Sequence, residues 1–181
     1  MRVTLLAPLA ALAAVSPAAF AVDYLSADQA ARQMFPDADT FEPRTLTLDA
    51  AQLRELEARG VKPRSAAWAV RLALRGGQAL GVVVTDDVVG KFELISYAVG
   101  LDLDARVRQI EILAYRESHG HEVRLPAWRR QFVGKGPGAA MRVGEDIANI
   151  SGATLSCQHV TDGVRRIVAI VEQARRGGRL P

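Results

Sequence analysis

The sequence predicts an α+β fold: one domain on a twisted, mainly antiparallel sheet of hairpins, with packing helices and a long C-terminal helix. Three observations carry that expectation. The valine-rich stretch 80–89 follows Gly76-Gly77, the mark of a two-residue hairpin turn. The alternating stretch 107–115 folds back on the strand before it across a polar turn at 102–106. Near the end, Val160, Val164, Ile167, Val168 and Val171 recur at helical spacing, the core stripe of a helix running from about Ser156 to Arg176.

In chain order, the first segment reads as targeting and not as fold. Arg2 precedes an apolar run, 3–15, in which Thr4 is the only polar side chain, and Ala19-Phe20-Ala21 fits the small-x-small cleavage pattern. The run is short for a membrane span, and Pro17 interrupts its continuation. Residues 1–21 are therefore expected to be a signal peptide cut after Ala21, giving a periplasmic or otherwise extracytosolic protein.

Ser26-Ala27-Asp28-Gln29 is a capping-box pattern that starts a helix ending before Pro36. A second helix begins near Asp49 and stops at Gly60, with Leu53 and Leu56 on its inner face. Residues 65–75 form the first strand, with Trp68, Val70, Leu72 and Leu74 sharing one face. After the hairpin, 92–101 is a strand, and Ile110, Ile112 and Ala114 are the core candidates of 107–115. From Pro126 a short helix holds Trp128 and Phe132, and glycines at 134, 136 and 138 make a loop.

The formal net charge of +3 is too balanced to point to nucleic acid. Arg175, Arg176 and Arg179 suit the C-terminus of the last helix. The single cysteine, Cys157, allows no internal disulfide and reads as a buried packing residue. His119, His121 and His159 have no cysteine or carboxylate at ligand spacing beside them, so no metal site is expected. No G-x-S-x-G occurs that would make Ser151 a hydrolytic nucleophile.

The chemistry concentrates in 149–157, Asn-Ile-Ser-Gly-Ala-Thr-Leu-Ser-Cys, just before the last helix. Free backbone N–H groups and the helix dipole favour an anion at such a position, and Gly152 lets a phosphate approach closely. Ser151, Thr154 and Ser156 offer hydroxyls there. The same residue types also serve as plain helix caps, so the residues alone leave a phosphate site and a cap both open.

Ser151-Gly152-Ala153-Thr154, followed by Leu155 and Ser156, resembles the attachment motif of the FMN-binding domain family. That domain occurs in flavin-carrying subunits of sodium-translocating NADH:quinone reductases, of Rnf electron-transport complexes, and in small exported flavoproteins. The resemblance runs from about Val88 to Val171 and includes the loop Glu117-Ser118-His119-Gly120, where Glu-Ser stands for the family's Glu-Thr. It also includes Phe132-Val133-Gly134-Lys135, similar to the family's F-x-G-K stretch. Ala148 stands where many members have aspartate, with Asp146 and Asn149 nearby.

The resemblance implies FMN esterified to Thr154 by a flavin transferase that uses FAD. It places the isoalloxazine against the Glu117 to Gly120 loop, with Trp128 or Tyr115 beside it, while Lys91 reads either as a cationic partner for the phosphate or reduced ring or as a solvated strand-end lysine. The implied role is electron transfer with a membrane-bound donor or acceptor protein. The expected layout is residues 22–77 as N-terminal helices and first strand outside the resemblance, 78–176 as the FMN-binding domain and 177–181 as a tail. A reductase with non-covalent FMN and a flavin-free partner-binding module of the same fold are the alternatives.

Overall fold

The computed structural model describes residues 22–181. The expected signal peptide and its cleavage after Ala21 lie outside the described residues.

Among the described residues six strands occur: β1 (Val22–Asp23), β2 (Thr40–Thr47), β3 (Ala67–Arg75), β4 (Gln78–Val89), β5 (Leu94–Asp102) and β6 (Val107–Tyr115). They form one sheet in the order β1-β6-β5-β4-β3-β2, with every neighbouring pair antiparallel. The fold is α+β, as the hairpin signals predict. Gly76 and Gly77, at φ of 55° and 78°, make the β3–β4 turn in a conformation that costs other residues more.

β2 is the longer of two strands, β1 and β2, that the residue pattern does not announce. It pairs along its whole length with β3, from Thr40 opposite Leu74 to Thr47 opposite Ala67. Pro43 is tolerated because β2 is the last strand of the sheet, with one side of its backbone free of a neighbour. β5 begins at Leu94, so Phe92 sits in the β4–β5 turn and not in the strand that residue pattern alone extends to it.

Among the described residues four α-helices flank the sheet: α1 (Ala27–Met34), α2 (Ala50–Ala58), α3 (Pro126–Arg129) and α4 (Thr154–Arg176). The expected capping box of Ser26 with Gln29 is present, and α2 has a second one, Asp49 with Gln52. On one face α4 lays Val160, Val164, Ile167, Val168 and Val171 against Val82, Val84, Tyr97 and Val99, all buried. Each such aliphatic burial is worth about 1.5–3 kcal/mol. On the opposite face α1 covers Ala73, Val83 and Ala98 with Met34 and Phe35. α2 docks on α4 through Arg59–Glu172 at 2.8 Å and Gln173–Glu55 at 2.7 Å.

α4 starts at Thr154, two residues earlier than its apolar stripe indicates. That places Thr154 on the helix itself, held rigidly by a long packed element. No described helix is long and apolar enough to cross a membrane.

Candidate functional site

Three segments meet beside the start of α4: the β4–β5 turn at 90–93, the loop at 116–120 after β6, and residues 152–156. They surround an open cavity of about 450 Å³, a size typical of small-ligand sites.

The turn is held by Glu117. Its Oε1 accepts the backbone N–H of Lys91, that of Phe92 at 2.6 Å and that of Glu93 at 2.9 Å. Burial pushes the carboxyl up, but the three N–H donors and the Lys91 charge outweigh it and leave Glu117 below the usual glutamate range. Gly90 makes room for this contact, since a Cβ there would lie 2.6 Å from Oε1. From the other side, His159 Nδ1–H donates to the carbonyls of Val89 and of Gly90, the latter at 3.2 Å. The β4–β5 turn is thus tied both to the loop after β6 and to α4.

The loop after β6 rests on Tyr115. Its hydroxyl donates to the His119 carbonyl and lies 3.2 Å from Ser156 Oγ. Burial raises the Tyr115 hydroxyl above the usual tyrosine range, so it serves as a neutral donor. Gly120 is packed so closely under this loop that a Cβ would meet the Ala153 Cβ at 2.2 Å.

At the start of α4, Gly152 takes φ of 80° to close the turn, and the helix begins at Thr154 after Ala153, an N-cap residue that makes no side-chain cap. Its first-turn N–H groups therefore stay available to an anion. Thr154 is exposed, and its Oγ1 accepts Asn149 Nδ2–H at 3.1 Å. Cys157 is buried, and burial raises its thiol above the usual range, as befits a packing residue.

Of the residues singled out in the sequence, Lys91, Glu117, Ser118, His119, Gly152, Ala153, Thr154, Leu155 and Ser156 all line the cavity. Gly120 lies beneath it, and Ser151 is exposed outside its wall. Trp128, expected beside the ring, does not line the cavity. Its side chain is buried against Phe132, with Nε1–H donating to the Ala148 carbonyl at 2.8 Å. Tyr115 is likewise fully buried and acts from below the loop. The aromatic at the cavity is Phe92, which is 76% exposed and carries Lys91 Nζ 4.8 Å above its ring. Residue pattern hid Phe92 by assigning it to a strand.

Asp146, near the position of Ala148 in sequence, is committed to partners in its own loop. It is engaged by Lys135 at 2.7 Å and by the N–H groups of Met141 and Arg142, which hold its pKa at about 2. Among the described residues no three His, Cys, Asp or Glu side chains gather as a metal site.

Compared with known protein families, residues 90–169 match the FMN-binding domain. Among solved structures the fold is similar to the crystal structure of Shewanella oneidensis NqrC, with a TM-score of 0.53 and 16% identity. That likeness covers 80% of this chain and 88% of the other. No curated protein matches the sequence significantly. The matched residues span the β4–β5 turn, the Glu117 loop and Thr154 itself, and it is over residues 90–169 that the chain is similar to the FMN-binding domain.

Proposed function

We propose that this protein is an extracytosolic electron carrier holding FMN through a phosphoester to Thr154. The observation that carries the reading is the placement of Thr154: an exposed hydroxyl on the first residue of an uncapped helix, opening on the cavity of an FMN-binding domain. The free N–H groups of that first turn suit a phosphate, and Lys91 adds positive charge on the cavity wall.

Phe92 and Leu155, exposed on the same wall, offer apolar surface to an isoalloxazine ring. Ser118 and His119 line the same cavity, and backbone N–H groups of their loop would bond the ring carbonyls. Bound FMN supplies reversible electron uptake and release. The chain's own part is to fix the phosphate, orient the ring, and leave one ring edge near the surface. The leader-like residues 1–21 support export, and a covalent bond would keep flavin in a compartment that makes none. Maturation would need a flavin transferase, and the electron partner would be a membrane-bound protein docking around the cavity mouth.

The test is the intact mass of the protein exported from cells that make the transferase, beside a Thr154→Ala variant. The wild type is expected to gain the mass of one FMN less one water, and the variant to gain nothing. A wild type left unmodified in cells that flavinylate another substrate sinks covalent attachment. Non-covalent FMN in a reductase, or a flavin-free partner-binding role, would then take its place.

A further inference from the structure

We infer that Asn149 is a positioning residue that selects the Thr154 hydroxyl as the site of modification. The inference rests on the flavinylation reading above and deepens it.

Three hydroxyl side chains flank the start of α4, and the structure treats them differently. Ser156 is buried, with Oγ 3.2 Å from a Tyr115 hydroxyl that is itself committed to the His119 carbonyl. Ser151 is exposed but does not line the cavity. Thr154 lines it, and Asn149 Nδ2–H donates to its Oγ1 at 3.1 Å. One lone pair of Oγ1 is thereby occupied, which restrains the side-chain rotamer. The O–H and the second lone pair are left for a reacting partner.

Asn149 is itself held from the core. The peptide of its neighbour Ala148 is clamped on both sides: Ala148 N–H donates to Gln131 Oε1 at 2.7 Å, and its carbonyl accepts Trp128 Nε1–H at 2.8 Å. The buried indole thus acts at a distance, through Ala148 and Asn149, on the hydroxyl of Thr154.

In the transfer, Thr154 Oγ forms a bond to the phosphorus of the FMN half of FAD. The bond from that phosphorus to the bridging pyrophosphate oxygen breaks, and AMP leaves. The hydroxyl proton passes to a base on the transferase, and no atom is oxidised or reduced. Asn149 stays hydrogen-bonded to the same oxygen as it becomes the ester bridge. Orienting a weak nucleophile in this way lowers the barrier without supplying a proton acceptor.

The experiment compares initial rates of FMN incorporation, read by intact mass, for the unmodified full chain incubated with purified transferase and FAD. Asn149→Ala and Asn149→Asp, which lack the N–H donor, are expected to slow roughly tenfold, the rate equivalent of one hydrogen bond. Asn149→Gln, which keeps the amide, is expected to recover part of that loss, and all three should melt at the wild-type temperature because the side chain is exposed. Modification of Asn149→Ala or Asn149→Asp at the wild-type rate overturns the role. A wild type that takes up no FMN overturns the flavinylation reading itself, and the positioning role with it.

Discussion

Glu117 Oε1 lies 2.6 Å from the backbone nitrogen of Phe92, and the same oxygen also takes the N–H groups of Lys91 and Glu93. One carboxylate atom therefore shapes the turn that carries two of the cavity's side chains. Glu117→Ala leaves those three donors without their acceptor, at a cost of about 2–3 kcal/mol. Glu117→Gln keeps a neutral acceptor and should cost less. Urea unfolding gives the energies, and amide exchange at Lys91 to Glu93 should quicken in the alanine variant. Wild-type stability with slow exchange in Glu117→Ala would show that the turn holds itself.

Gly90 tests the same contact from the other partner. A Cβ at this position would lie 2.6 Å from Glu117 Oε1 and 3.1 Å from Ile95 Cδ1, so alanine must push the carboxylate off its donors. Gly90→Ala should destabilise by about 1–3 kcal/mol. Combined with Glu117→Ala it should cost much less than the sum of the two, because both remove one interaction. Additive costs in that cycle would disprove the shared mechanism.

These contacts also mark where the sequence stops being legible. Ser26, Asp49 and Gly76-Gly77 act within four residues of themselves, so their helices and hairpin can be read directly from the chain. The stretch 151–156 is legible for the same reason, as small and hydroxyl residues beside a helix start. β2 was hidden because Pro43 looks like a strand breaker until the strand's edge position is known. The Glu117 contacts span 24 to 26 residues, and nothing local announces them. Trp128 misled for a related reason. An aromatic near a flavin motif suggests a ring neighbour, yet burial against Phe132 and a bond to the Ala148 carbonyl decide its place.

Asp146 sets an acid limit on the loop before the motif. The N–H of Arg142, then Lys135, pull its pKa from 3.8 to about 2. A carboxyl whose folded pKa is depressed stabilises above its unfolded pKa and loses that contribution as pH falls through the folded value. The melting temperature of the wild type should therefore carry an Asp146 component that disappears between about pH 4 and pH 2. Asp146→Asn should melt lower at neutral pH, and the two curves should converge toward pH 2. Parallel curves across that range would remove Asp146 from the account.

Phe92 separates flavin contact from stability. With 76% of its surface exposed, replacement by alanine should change unfolding energy by no more than about 0.5 kcal/mol. If the ring rests on this wall, Phe92→Ala in the flavinylated protein should keep the added mass but alter flavin fluorescence and absorption. An unchanged flavin spectrum would place the ring elsewhere in the cavity.

Gly163 lies in the middle of α4, where helix propensity alone would favour alanine by about 1 kcal/mol. Packing reverses the sign. A Cβ at Gly163 would lie 2.0 Å from the Tyr97 hydroxyl and 2.8 Å from Cζ. Tyr97 cannot retreat, because its ring is fully buried and its hydroxyl donates to Asp86 at 3.0 Å, with Arg166 on the same carboxylate at 3.1 Å. Overpacking costs about 1–3 kcal/mol, and a broken Tyr97–Asp86 bond adds about 1 kcal/mol. Gly163→Ala should thus be destabilised by about 1–3 kcal/mol overall and melt several degrees lower. Adding Tyr97→Phe removes the closest atom while Asp86 keeps Arg166, so the double variant should regain part of the loss. A Gly163→Ala protein at least as stable as wild type would mean that α4 can lift from the sheet here at little cost. The rigid seat assigned to Thr154 at the head of this helix would then lose its support.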